Sequence, residues 1–200
     1  NTRDRWLTME EERRLLAGAT PWLQELVVFA IYTGMRMGEI LALTWAGVDL
    51  FRRTVTVFRS KNGERRTIPI NTTVLNLLKS KCAARPGTID IVFHSESHTP
   101  LDGSNIRRAL TIALRSAKIQ DLHFHDLRHT FATRMVQAGI DLYKVQRLLG
   151  HKSPIMTQRY AHPYPESVRD GVAACEAGRS GGTNFNLVRP LLDSAGWSPT

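Results

Sequence analysis

The stretch HDLRHTFATRMVQAGIDLYKVQRLLGHKSPIMTQRY, residues 125–160, decides the fold. Its punctuation predicts three consecutive helices. Asp126 opens one that Gly139 stops, Asp141 opens a second that Gly150 stops, and Ser153-Pro154 opens a third. His125, His151 and Tyr160 then sit at or near helix ends.

Upstream, Thr8 and Glu11 form a capping box that starts a short, surface-facing helix, which Gly18 and Pro21 interrupt. From Trp22, apolar Leu23, Leu26, Val27, Ala30 and Ile31 repeat at helical spacing. Thr33-Gly34 breaks that run and Met35 to Leu43 resumes it, so Arg36 follows a helix break. Three short β-rich runs come next, Val48–Leu50, Thr54–Phe58 and Thr67–Ile70. Lys61-Asn62-Gly63 lies between the last two, and Asn-Gly is a strong hairpin-turn signal because both residues tolerate positive φ. Asn71 caps a helix to about Arg85, and Ser104 another to about Ala117, with Pro86-Gly87 and a strand-like DIVFH between them. The expected fold is mainly α with a small antiparallel β-sheet, an α+β class.

A chain of 200 residues with 42% hydrophobic content can bury one substantial core. Lys and Arg number 27 against 18 Asp and Glu, a formal net charge of +9, and a polyanion is the natural partner. Cys82 and Cys175 form no CxxC pair, so zinc or redox chemistry is not indicated and reduced thiols are expected. The longest apolar run, Leu26 to Tyr32, is too short to span a bilayer, and NTRDRWLTMEEERR is no signal peptide. These features lead us to expect a soluble, cytoplasmic protein without a membrane partner. The chain starts at Asn1 and enters a helix almost at once, and we expect a segment upstream. After Glu176, GRSGGTN reads as a flexible linker leading to an apolar tail, FNLVRPLLDSAGW.

Breaking a phosphodiester without water needs a nucleophile, cationic donors for the non-bridging oxygens and an acid for the leaving oxygen. The chain supplies all three types: Arg36 in TGMRMGEILALTW, Lys61 on its hairpin, His125 and Arg128 in HDLRHTFAT, and His151 and Tyr160 in LLGHKSPIMTQRYAH. Arg36 precedes Glu39 by three residues, and we read it as a phosphate-binding arginine held by that carboxylate. Arg128, at i+3 from His125, shares its helix face, so both can converge on one phosphate. Taken singly, each residue has a plainer reading. Arg36 and Arg128 could be helix-surface arginines, Lys61 an exposed turn lysine, His125 a core or capping histidine, and His151 a partner for helix-end carbonyls. Tyr32, Tyr143 and Tyr164 show that a tyrosine as such is not diagnostic.

The order Arg, Lys, His-x-x-Arg, His, Tyr resembles the active-site pattern of tyrosine recombinases, phage integrases among them. The resemblance covers nearly the whole chain to about Glu176. It implies a catalytic domain over residues 1–176 with residues 177–200 as linker and tail. The N-terminal core-binding domain usual in that family has no match here. It further implies Tyr160 as nucleophile, Lys61 as general acid for the 5′ oxygen, and His125 as general base or proton shuttle. Arg36, Arg128 and His151 would bind the scissile phosphate. An unperturbed tyrosine has a pKa of about 10, so a proton acceptor matters. His129 is expected to make a buried structural hydrogen bond, supporting the site as Glu39 does.

The implied partner is double-stranded DNA, bound by a homotetramer on paired sites, with accessory DNA-bending proteins as candidate partners. No cofactor is expected. His123, His125 and His129 lack a carboxylate or cysteine completing a ligand set, and no metal is expected. Two alternatives remain. A type IB topoisomerase uses the same chemistry, but usually carries Lys or Arg where this chain has His125. A non-catalytic DNA-binding module would not need Tyr160.

Overall fold

The computed structural model describes residues 5–58, 65–85, 87 and 89–161. Lys61, Cys175, the boundary expected at residue 176 and the tail 177–200 lie outside them. Among the described residues the helices are α1 Met9–Gly18, α2 Pro21–Thr33, α3 Met37–Leu41, α4 Thr72–Ala83, α5 Gly103–Ser116, α6 Phe124–Gln137, α7 Leu142–Leu149 and α8 Ile155–Gln158. The strands β1 Val48–Asp49, β2 Thr54–Val57 and β3 Arg66–Pro69 form an antiparallel sheet in the order β1-β2-β3, with Val55 opposite Ile68. This is the expected α+β class.

Helix α2 forms because Pro21 occupies its first turn, where the missing N–H costs nothing, and Gly34 ends it in the left-handed region at φ 63°. Its buried residues Leu23, Leu26, Val27, Phe29, Ala30 and Ile31 pack against α4, α5 and α6 and form the centre of the main core. A second cluster gathers Phe131, Ala132, Val145, Leu149 and the ring of Tyr160, joining α6, α7 and the end of α8. Burial on this scale, about 25 cal/mol per Å² of apolar area, holds the helix ends in place.

Several local expectations change. The capping box of Thr8 with Glu11 forms, yet α1 is less surface-facing than its pattern suggested, since Leu15 is fully buried and Glu12 pairs with Arg134 at 2.6 Å. Helix α5 is capped by Asp102 rather than Ser104. Its carboxylate accepts from the backbone N–H of Ser104 and Asn105 at 2.8 and 3.1 Å, and an ionised oxygen is the better acceptor. Helix α6 begins at Phe124, not at Asp126. Asp126 is its third residue and reaches back to the N–H of His123 at 2.7 Å, so His125 lies in the first turn. The DIVFH segment forms no strand. Ile91 makes a single antiparallel bridge to Thr44 and His94 another to Pro100, while Val92 donates to Leu43 O.

Candidate active site

Arg36 is the N-cap residue of α3, and Glu39 sits three residues on, inside the first turn. The Glu39 carboxylate accepts from the Arg36 backbone N–H at 2.8 Å and from its guanidinium at 3.0 Å. The same carboxylate takes a two-pronged bond from Arg66 on β3, at 3.0 and 2.6 Å. Burial alone would raise the Glu39 pKa. The Arg66 bond and charge, with the Arg36 backbone and charge, more than offset it and hold the carboxyl below its ordinary value. Glu39 is therefore an ionised post between two arginines.

Arg66 also donates through Nε to Leu148 O at 2.9 Å, and Arg128 on α6 donates to Leu149 O at 2.6 Å and to Gly34 O at 2.7 Å. Carbonyls at a helix C-terminus lack intrahelical partners and favour cations. Two arginines thus satisfy the end of α7, and one of them also ties it to the end of α2. Both helix ends turn on glycine. Gly34 has φ 63° and a Cβ there would strike the Phe131 ring, while Gly150 has φ 67° with the Arg66 side chain packed against it.

The turn at Gly150 delivers His151, whose Nδ1 bonds Thr157 Oγ1 at 2.9 Å. Burial first, then Arg128 and Arg36, push its pKa down to about 3, so the ring is neutral at physiological pH. Arg128 itself is 2% exposed. Desolvation, then Arg36 and Arg66, lower its pKa to about 9, which leaves it cationic at neutral pH. His125 reaches solvent from the first turn of α6. Partial desolvation and the charges of Arg128 and Arg36 depress its pKa too.

Tyr160 follows α8 and is 9% exposed, and its hydroxyl is hydrogen-bonded to Nδ1 of His129. The His129 ring meets that of His125 edge to face, centroids 4.9 Å apart. Burial, then His125 and Arg159, lower the His129 pKa to about 4. The phenol oxygen is also near enough to act on the charge of Arg128.

Arg36, His125, Arg128, His151 and Tyr160 therefore come together, each electrically coupled to at least one of the others. Lys61 lies outside the described residues. His129 makes a buried hydrogen bond, and its partner is the hydroxyl of Tyr160. Arg66 is one of several basic residues next to the Lys61 turn, and nothing in the local sequence distinguishes it from Arg65. Among the described residues no three His, Cys, Asp or Glu side chains are grouped to hold a metal ion. Two arginines with neutral imidazoles and a buried phenol beside them are groups that can bind a phosphate diester and present an oxygen nucleophile to it.

Comparison with known proteins gives a match of residues 5–167 to the model of the phage integrase family. The chain belongs to that family. It is 32% identical over 182 residues to an integrase of Salmonella phage P22, covering 85% of this chain and 46% of that protein. It is 35% identical over 158 residues to the tyrosine recombinase XerC of Bacillus subtilis (strain 168), covering 74% of this chain and 51% of XerC. The chain thus spans about half the length of such relatives. Among solved structures, the XerA recombinase superposes with a TM-score of 0.69 at 30% identity, over 85% of this chain and 62% of that one. The Tn1549 transposon integrase in complex with transposon right end DNA shares the fold at a TM-score of 0.73 and 20% identity, over 88% of this chain and 67% of that one. The helical scaffold with its three-stranded sheet is the fold of this family's recombinases.

Proposed function

We propose that this phage integrase family chain is the catalytic domain, residues 1–176, of a site-specific DNA recombinase that cleaves and rejoins strands through a 3′-phosphotyrosyl intermediate. The observation that supports this reading is the mutual electrostatic coupling of Arg36, His125, Arg128 and His151, with the Tyr160 hydroxyl hydrogen-bonded to His129 beside them. Tyr160 attacks the scissile phosphorus, and the 5′ oxygen leaves with a proton from Lys61. The phenolic proton passes to the histidines, with His125 as base or shuttle. Arg36 and Arg128 hold the non-bridging oxygens, and His151 donates to one of them through its second ring nitrogen. Glu39 fixes Arg36, and His129 supports Tyr160.

The bond energy is kept in the phosphotyrosine, so a 5′ hydroxyl of a partner strand can displace the tyrosine and restore a diester. The proposed partner is duplex DNA, bound in the cytoplasm by a homotetramer on paired sites with accessory DNA-bending proteins. The relatives reported above are recombinases and integrases, and they lend nothing to the topoisomerase alternative. Among the described residues no helix is long and apolar enough to cross a membrane.

The test is incubation with nicked suicide duplexes carrying candidate sites. A covalent protein–DNA adduct is expected from the native chain and none from Tyr160→Phe, which should fold and bind DNA nearly as before. An adduct formed by the Phe variant would remove Tyr160 from the role.

A further inference from the structure

The reaction needs a group that takes the phenolic proton as the tyrosine oxygen bonds to phosphorus. Three histidines surround this end of the site, and they are differently engaged. His151 commits its Nδ1 to Thr157, and His125 faces solvent from the first turn of α6. His129 has its Nδ1 on the hydroxyl of Tyr160.

We infer that His129, rather than His125, is the catalytic base that accepts the Tyr160 proton directly, at its Nδ1, which leaves His125, packed edge-on against it, the shuttle role. This rests on the reading of Tyr160 as nucleophile. The hydroxyl donates to an unprotonated Nδ1, which fixes the tautomer with the ring proton on Nε2. Attack forms the Oη–P bond, moves the proton to Nδ1 and expels the 5′ oxygen, protonated by the general acid. Religation reverses this, and the proton returns to Oη as the O–P bond breaks. The surroundings keep the ring neutral before attack. His125 and Arg128 on α6, Arg159 after α8, and His151 after α7 all disfavour a lasting imidazolium, while the nearby Asp126 partly offsets them. The base is therefore unprotonated before attack. The charge of Arg128 is felt at the same phenol, so hydroxyl, base and phosphate-binding cation already converge.

The test is single-turnover formation of the covalent adduct by the full chain on nicked suicide duplex, from neutral to alkaline pH. His129→Asn places an amide where Nδ1 stood, keeping a hydrogen-bonding atom without basicity, and His129→Ala leaves a space that free imidazole can enter. Both should slow adduct formation by about 10²–10⁴-fold with DNA affinity unchanged, the usual worth of a general base. Their rates should then rise with hydroxide concentration while the native rate stays flat, and imidazole should restore part of the Ala rate. A His129→Asn rate near the native one, or a slower rate with unaltered pH dependence and no imidazole rescue of Ala, would assign His129 a structural role and overturn the inference. Absence of any adduct from the native chain would refute the underlying reading of Tyr160.

Discussion

Arg36 and Arg66 share Glu39, but they should fail in opposite ways when removed. Arg66→Ala deletes two charged bonds to Glu39, at 3.0 and 2.6 Å, and the 2.9 Å bond to Leu148 O. The side chains of Arg66 and Glu39 are only 8% and 5% exposed. Removing one partner of a buried ion pair costs about 3–5 kcal/mol, because the other charge stays buried. Glu39 keeps Arg36 and a backbone N–H, which puts the cost near the lower end, about 3 kcal/mol. For a unit of this size each kcal/mol moves the melting midpoint by about 2–4 °C, so a fall of about 6–12 °C is expected. Arg36→Ala leaves the Glu39–Arg66 pair intact and should cost about 1 kcal/mol or less, since the Arg36 side chain is 22% exposed. Its penalty falls on chemistry, with cleavage slower by about 10²–10³-fold, as for loss of one oxyanion donor. Thermal melts followed by circular dichroism, with single-turnover cleavage below both midpoints, separate the two. An Arg36→Ala midpoint at or below that of Arg66→Ala would refute the reasoning that Arg66 is the buried anchor and Arg36 the phosphate ligand.

Three further outcomes are expected. Lys61→Ala should slow cleavage of an ordinary duplex by about two to four orders of magnitude. It should lose most of that defect on a 5′-bridging phosphorothiolate, whose sulfur departs unprotonated, whereas Arg128→Ala should not be rescued; equal lack of rescue would make Lys61 a phosphate ligand. His129 and His151 have folded pKa values of about 4 and 3, below the ordinary 6.5. Below about pH 6.5 the unfolded chain therefore binds protons that the folded one refuses, and stability should fall until those folded values are reached. Urea midpoints that stay constant on acidification from neutrality would contradict the burial of neutral imidazoles. DNA binding by this chain should be weak and fall steeply with salt, because its contacts are mostly to phosphates; tight, salt-insensitive binding would argue against that.

Much of this was legible along the chain because the signals are local. Capping residues, glycine stops and period-3.6 apolar runs depend on a few neighbours, so α1, α2, α4, α6 and α7 and the three-stranded sheet could be placed from residue order alone. The boundary errors were local as well. Asp102 competed with Ser104 and won because a carboxylate is the stronger cap, and Asp126 proved to be the back-bonding third residue of α6 rather than its start. The site residues were legible as a set of chemical types in a familiar order. Their pairing was not. That Glu39 serves Arg66 across 27 residues, or that Arg128 spans 94 residues to reach Gly34 O, follows only from packing α6 against α2 and α7 against β3.

By itself, the sequence determined the helical class, the small sheet, the cationic character and the candidates Arg36, Lys61, His125, Arg128, His151 and Tyr160, since each depends on residue type and near spacing. Only the tertiary structure decided which imidazole meets the tyrosine. His125 and His129 are both within one helical turn of Arg128, and no spacing rule prefers one. The choice falls to His129 because α8 returns across the α6–α7 cluster and buries the Tyr160 ring against Phe131, Ala132, Val145 and Leu149, which leaves the phenol oxygen at His129 Nδ1.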